Sequence, residues 1–343
     1  MKDRIASPLI DLQSITKNYR AKVNSHGVLG KLKDLFNPKY TSHNVLNDIS
    51  FKLYEAHSLA ILGPNGAGKS TLIKILAGIQ QPDLGKVTVL NTDPYKKKKE
   101  VFKKLGVVFG HKNCLWWDLP LRNSFEMVQP MYGIDEENFQ TDFKSITNLL
   151  NLDKLLDKPV RVLSLGERVK SELAFNLLFA PKILFLDEPT IGLDITSKYE
   201  IRELLKNLKN ERGVSYIITS HDMGDIDGYV DDIIILNKGK NKFHGNISKL
   251  KEIIPSSVSI TVFCGESLKP DFIVSKINLI IKKLLINATI NEYENDDLEI
   301  SITLPRSDSA QFIRELTSNV NCGFFVNSPS LEEILRVKFQ EFN

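Results

Sequence analysis

Nine residues, Gly63-Pro64-Asn65-Gly66-Ala67-Gly68-Lys69-Ser70-Thr71, limit the possible fold more than any other part of this 343-residue chain. They match G-x-x-x-x-G-K-[ST], follow the apolar run Ser58 to Leu62, and precede Leu72-Ile73-Lys74-Ile75-Leu76. A buried strand, a glycine-rich turn and the start of a helix are the context in which this pattern grips phosphate. Glycines let the backbone curl until its N–H groups converge on phosphate oxygens, the helix N-terminus adds positive dipole, and Lys69 adds a full charge. The hydroxyl of Ser70 is placed to hold Mg2+. The expected ligand is therefore a nucleoside triphosphate, and the expected architecture an α/β fold with a central parallel sheet.

The length predicts two domains, each with its own core. Apolar residues make up 42% and charged residues 25% of the chain, the balance of an ordinary soluble globular protein. Forty-five Lys and Arg against 42 Asp and Glu leave a net charge of +3, too even for a nucleic-acid footprint by charge alone. The lysine run Lys96 to Lys99 is expected on the solvated surface. Cys114, Cys264 and Cys322 are far apart, without a metal-binding spacing, and are expected as reduced, buried thiols. No run of apolar residues is long enough to span a bilayer and the N-terminal segment lacks an apolar leader core, so any membrane role is expected to come through a partner.

Three further motifs lie downstream of the loop. Ile183-Leu184-Phe185-Leu186-Asp187-Glu188-Pro189-Thr190 reads as a central parallel strand opening on a site at its C-terminal end. Asp187 suits Mg2+, and Glu188 is placed to polarise a water for attack on a γ-phosphate. Val214 to His221 reads as a second such strand ending in a histidine. A lone histidine there is more often a structural cap, and only the accompanying motifs favour a γ-phosphate contact. Leu163-Ser164-Leu165-Gly166-Glu167 precedes a helix predicted over Arg168 to Ala180, where Val169, Leu173 and Leu177 recur at helical spacing and Pro181 ends the run. A hydroxyl, a glycine and a helix N-terminus make an anion site.

Over residues 9 to 250 this combination resembles the ATP-binding cassette (ABC) family, in particular the nucleotide-binding ATPase subunits of ABC exporters. The resemblance implies a P-loop NTPase cassette with a RecA-like core and a helical subdomain at about 120–180. It implies a Walker A loop at 63–71, a Walker B end at Asp187 and Glu188, a signature at 163–167, a D-loop at Gly192-Leu193-Asp194 and a switch histidine at His221. Tyr19 stands where the family places an adenine-stacking ring, the alternative being an ordinary strand tyrosine. The implied partners are a second nucleotide-binding subunit, whose Ser164 and Gly166 complete the site, and an integral membrane permease. No nucleic acid is expected, and the implied location is the cytoplasmic side of the cell membrane, peripherally bound. A soluble ABC ATPase acting on nucleic acid or ribosomes is the rival reading; it usually shows two cassettes in one chain or a long coiled-coil insertion, and this chain shows neither.

The chain departs from the family at several positions. His111 stands where the Q-loop carries Gln, either altering turnover and its pH dependence or exchanging one polar side chain for another of similar reach. Glu167 and Leu165 replace the usual signature Gln and Gly, and Ala56-His57 replaces Gly-Glu, a changed turn with no chemistry expected. An insertion at 21–44 contains an amphipathic helix pattern with Val28, Leu29, Leu32, Leu35 and Phe36, suited either to the membrane subunit and lipid headgroups or to its own domain. Trp116 and Trp117 suit an interface, with core packing of the helical subdomain as the alternative for at least one.

The cassette is expected to occupy 1–254 and an accessory domain 255–343. Predicted elements of the latter are strands at Ser257 to Phe263, Ala288 to Tyr293, Leu298 to Leu304 and Gly323 to Asn327. Helices are predicted at Asp271 to Leu285, Ser309 to Leu316 and Ser330 to Phe342. The order strand-helix-strand-strand-helix-strand is that of a ferredoxin-like α+β fold with a helix appended.

Overall fold

Continuous apolar strands and amphipathic helices sort this chain into two units, Met1–Gly245 and Asn246–Asn343. A computed structural model describes residues 7–23, 39–110, 114–222, 224–226, 228–246, 248–249, 257–263, 270–292, 299–320 and 322–327. The predicted amphipathic helix at 28–36, the histidine at 111 and the helix predicted at Ser330 to Phe342 lie outside the described residues.

The first unit begins with strands β1 (Ile10–Val23), β2 (Lys39–Leu53), β3 (Ser58–Leu62), β4 (Leu84–Val89) and β5 (Leu105–Phe109). It continues with β6 (Ile183–Asp187), β7 (Ser215–Ser220), β8 (Asp232–Asn237) and β9 (Lys240–Asn246). Two sheets result, one of order β2-β1-β4 and one of order β5-β6-β7-β3-β8-β9. β1 and β2 pair antiparallel from Ile10↔Leu53 to Val23↔Lys39. Both strands thus run into the stretch read as an insertion between Tyr19 and Asp48, and lengthen the hairpin around its undescribed middle.

In the larger sheet β5, β6, β7, β3 and β8 run parallel. Their side chains bury on both faces: β3 is buried throughout, and Ile183, Leu184, Phe185 and Leu186 are each 0% exposed. Each such Ile, Leu or Phe contributes about 1.5–3 kcal/mol of burial, and two-sided burial explains why these strands read as unbroken apolar runs. The register sets Phe109 beside Asp187, Asp187 beside Thr219, and Leu62 beside Ser220. The C-terminal ends of four adjacent strands therefore open on one edge, where open α/β sheets bind their ligands.

Helix α1 (Lys69–Leu76) follows β3, and the short α2 (Lys98–Phe102) precedes β5. A helical subdomain then comprises α3 (Leu121–Glu126), α4 (Val128–Tyr132), α5 (Glu136–Leu149) and α6 (Leu165–Leu177). α6 starts three residues before the predicted Arg168. Ser164 Oγ accepts from Glu167 N at 3.2 Å while Glu167 Oε2 accepts from Ser164 N at 2.8 Å, a reciprocal capping box that draws the helix start back to the signature. α7 (Ile195–Arg212) is capped by Asp194 and ends at Gly213. Among the described residues no helix is long and apolar enough to cross a membrane.

Trp116 and Trp117 are 43% and 47% exposed, so neither belongs to the core. The Arg168 guanidinium lies over the Trp117 ring at 5.0 Å. Cys114 is an exposed residue and Cys322 half-buried, correcting the expectation of buried thiols; Cys264 lies outside the described residues. The Cys114 thiol is nonetheless pushed up to about 12, by desolvation first and by the Glu172 carboxylate second. Ala56 takes a positive φ of 54°, and His57 Nε2 meets Asp232 Oδ2 at 2.8 Å, so the altered turn is tied to the start of β8.

Glu172 is the one carboxylate on the buried face of α6, 6% exposed. Desolvation raises its carboxyl from 4.5 to about 7, against the opposing pull of Arg168. A carboxyl that binds its proton more tightly folded than unfolded stabilises the fold fully below its unfolded value, and that stabilisation is lost as pH rises through about 7. Glu172→Gln is therefore expected to raise the melting temperature relative to wild type more at pH 8.5 than at pH 5. The free-energy difference is on the order of 2–3 kcal/mol, and melting curves at the two pH values check it. An effect equal at both pH values would contradict it.

The second unit contains β10 (Ser257–Phe263), α8 (Pro270–Leu284), β11 (Thr289–Glu292), β12 (Glu299–Pro305), α9 (Arg306–Asn319) and β13 (Gly323–Asn327). The antiparallel sheet has order β11-β12-β10-β13, the ferredoxin-like arrangement expected from the element order. Its core joins Ile260, Val262 and Ile302 of the sheet to Ile273, Ile277 and Ile280 of α8 and to Phe312 and Leu316 of α9. The helical spacing of these residues is the amphipathic pattern that packs two helices on a sheet.

Candidate nucleotide-hydrolysis site

The loop Gly63 to Gly68 leaves β3 and turns directly into α1. Gly66 and Gly68 have φ of 79° and 104°, values that L side chains adopt at a cost. A Cβ on Gly63 would stand 2.3 Å from Leu236 O, and one on Gly68 would stand 2.6 Å from Val45 O. The glycines thus let the loop fit between β2 and β8. Ala67 N donates to Pro64 O at 3.1 Å and Gly239 N donates to Ala67 O at 3.2 Å, which hold the turn from inside and outside.

Lys69 is 5% exposed, and its Nζ donates to Gly63 O at 2.7 Å and to Pro64 O at 3.3 Å. The same Nζ lies 3.1 Å from Glu188 Oε1. Beside it, Ser70 Oγ donates to Asp187 Oδ1 at 3.2 Å. These are two hard oxygens, one at the start of α1 just after the loop and one at the end of β6, of the kind that Mg2+ takes as ligands; the residues present fit that ion. Thr219 Oγ1 donates to the same Asp187 Oδ1 at 2.7 Å and accepts from Glu188 N at 3.0 Å. Glu188 has φ of 53°, a left-handed conformation that costs on the order of 1–2 kcal/mol for a residue with a Cβ. His221, at the end of β7, brings its Nδ1 to 3.8 Å from Glu188 Oε2.

A cleft of about 320 Å³ is lined by Tyr19, Val45, residues 65–71 and Glu188. Tyr19 is 39% exposed and donates its hydroxyl to Gln80 Oε1 at 2.7 Å, which fixes the ring at the rim of the cleft. Lys17 Nζ stands 6.0 Å from the same ring. Sequence reasoning missed Val45, Gln80 and Thr219. Val45 becomes a neighbour of the loop, and Gln80 a partner of Tyr19, only through tertiary packing, whereas Thr219 stood within the run already read as a strand.

Ser164, Gly166 and Asp194 do not line this cleft. They form a second group, in which a Cβ on Gly166 would meet Ser197 Oγ at 2.5 Å and one on Gly192 would meet Leu165 Cδ2 at 3.2 Å. The start of α6 therefore packs on the turn before α7. Asp194 accepts from Ser197 N at 2.9 Å and from Ser197 Oγ at 2.7 Å, and these bonds, the side-chain one foremost, hold its carboxyl below the usual range. Around this group Leu165, Ile191, Ile195 and Tyr199 are exposed at 40%, 37%, 88% and 62%.

A buried aspartate ties the loop after Glu188 to the segment after His221. Asp225 accepts from Thr190 Oγ1 at 3.0 Å and from Lys198 Nζ at 2.8 Å. The two loops are thereby braced against one another at the mouth of the site.

A family model described as ABC transporter matches residues 46–191. An ABC transporter ATP-binding protein of Clostridium acetobutylicum is 34% identical over 212 residues, covering 60% of this chain and 74% of that one. The ABC transporter ATP-binding protein NatA of Bacillus subtilis is 29% identical over 217 residues, covering 63% and 88%. Among solved structures, cbiO1 of Clostridium perfringens, part of the ABC transporter complex cbiONQ, matches with a TM-score of 0.59 at 27% identity. That match covers 72% of this chain and 93% of cbiO1.

Proposed function

The chain belongs to the family of ABC transporter ATP-binding proteins, and from that premise we propose that it hydrolyses MgATP in a nucleotide-sandwich dimer that drives an integral membrane permease, working as an exporter at the cytoplasmic face. The observation that supports this reading most is the hydrogen-bonded row Ser70, Asp187, Thr219 and Glu188 beside Lys69, of which Lys69, Ser70 and Glu188 line one cleft. A phosphate loop alone is shared by kinases and motors. This row supports a reading with a metal ligand and a general base beside the loop.

In the proposed mechanism Lys69 and the N–H groups of residues 65–71 bind the β- and γ-phosphates, and Tyr19 stacks on the adenine. Ser70 and Asp187 hold Mg2+, which supplies charge neutralisation when bound. Glu188 accepts a proton from the attacking water as its oxygen bonds to the γ-phosphorus and the bond to the β,γ-bridging oxygen breaks, releasing ADP and phosphate. His221, adjacent to Glu188, contacts the γ-phosphate. Charge that develops on the phosphoryl group needs donors on its far side too. Ser164 and Gly166 lie outside the cleft of their own chain, so a second copy supplies them, and the exposed Leu165, Ile191, Ile195 and Tyr199 suit that contact. The exporter direction rests on the resemblance of the motif set over residues 9 to 250 to the ATPase subunits of ABC exporters.

Purification of the chain from membranes in mild detergent tests the partner. Co-elution of a polytopic membrane protein, whose addition in vesicles raises ATP turnover, is the expected result. Ribosomal proteins or DNA in its place would overturn the transport reading.

A further inference from the structure

Thr219 lies inside the strand run that ends at His221 and has no role of its own in that motif, yet it touches the carboxylate of Asp187 and the backbone N–H of Glu188. Its residue is fully buried in β7, flanked by Asp187 of β6 and Ile61 of β3 in the parallel register. We infer that the Thr219 hydroxyl is a positioning group for ATP hydrolysis, setting the carboxylate of Asp187 toward Mg2+ and the backbone of Glu188 toward the attacking water. The inference rests on the roles proposed above for those two carboxylates.

A hydroxyl has one proton to give and lone pairs to receive, and this one uses both. The proton goes to Asp187 Oδ1 at 2.7 Å, the oxygen that also takes the Ser70 hydroxyl at 3.2 Å. Two donors on one oxygen fix the plane of the carboxylate. The lone pair receives Glu188 N at 3.0 Å, at the residue whose φ is 53°. A left-handed residue persists only where its surroundings over-determine it, and this bond gives that N–H a buried side-chain partner. Asp187 ends β6 and Glu188 begins the following loop, so a single rigid group on the neighbouring strand orients the last strand residue and the first loop residue together. Rigid support of this kind is what holds reacting groups within the small tolerances that catalysis needs.

Two pairs isolate the hydroxyl: the near-isosteric Thr and Val, which differ by OH for CH3, and Ser and Ala, which differ by OH for H. Thr219→Val and Thr219→Ala are expected to lower kcat about 10- to 100-fold with KM for ATP within about 2-fold, and Thr219→Ser to stay within about 3-fold of wild type. A second readout needs no turnover. Mn2+ binding to the full chain, followed by electron paramagnetic resonance in the presence of adenylyl imidodiphosphate, is expected to weaken several-fold in the Val and Ala variants and to be restored in Ser. A kcat within 2-fold of wild type for Thr219→Val would overturn the inference. So would a Ser variant as impaired as Ala, since packing rather than the hydroxyl would then be at work. If Thr219→Val does not fold, the Ser and Ala comparison decides. Full turnover in Glu188→Gln would instead sink the general-base reading and leave the Mn2+ comparison standing.

Discussion

Glu188→Gln is expected to lower ATP turnover by about 100- to 10,000-fold, the range that a general base contributes, while the affinity for ATP stays within about 3-fold. Glutamine keeps the size of the side chain, and its oxygen can still accept from Lys69 Nζ, which lies 3.1 Å from Oε1 in the wild type. The backbone bond from residue 188 N to Thr219 Oγ1 involves no side-chain atom of residue 188 and is retained. What the amide cannot do is take a proton from water. Bound ATP then persists, and closed dimers accumulate because the step that removes the γ-phosphate is blocked. Single-turnover kinetics and gel filtration with ATP measure the two consequences. More than a tenth of wild-type turnover would move the base elsewhere, His221 being next in line at 3.8 Å from Glu188 Oε2.

Much of this site was legible because its parts are local. The loop of residues 63–71, the carboxylates at 187 and 188 and the histidine at 221 each follow an apolar strand, and buried parallel strands announce themselves by composition. The four strands of the C-terminal unit were likewise visible, since alternation and helical spacing are short-range signals. The start of the signature helix was misplaced for an instructive reason. Apolar periodicity begins at Val169, but the helix begins where its N-cap is satisfied, and the S-x-x-E pattern of Ser164 and Glu167 marked that point.

Other features were invisible because they depend on register or tertiary packing. Nothing local pairs Thr219 with Asp187 rather than with a neighbour two residues away; the parallel alignment of β6 and β7 decides it. Val45 reaches the cleft because β2 passes the loop, where its carbonyl comes so close to Gly68 that no Cβ fits. The exposure of Trp116 and Trp117 was equally undecidable from residue type, since large aromatics serve cores and interfaces alike.

The proposed sharing of each site between two chains leads to a sharper expectation than any single substitution. Lys69→Ala and Gly166→Asp are each expected to reduce turnover by about 100-fold or more. The first removes the charge proposed to meet the β- and γ-phosphates and leaves Glu188 without its partner at 3.1 Å. The second places a carboxylate where the γ-phosphate must approach, at a position whose Cβ also crowds Ser197 Oγ at 2.5 Å. In a two-fold symmetric dimer every contact made by one chain on the other is returned. A mixed dimer of the two variants therefore has one site with both defects and one with neither, since its intact lysine comes from the Gly166→Asp chain and its intact signature from the Lys69→Ala chain. Random pairing makes half the dimers mixed, each with one of two sites working, so an equal mixture of two nearly inactive proteins should recover about a quarter of wild-type turnover. Differently tagged copies report whether the chains have exchanged. Exchange without recovery would mean that Lys69 and Gly166 serve the same site from the same chain, and the sandwich arrangement would have to be abandoned.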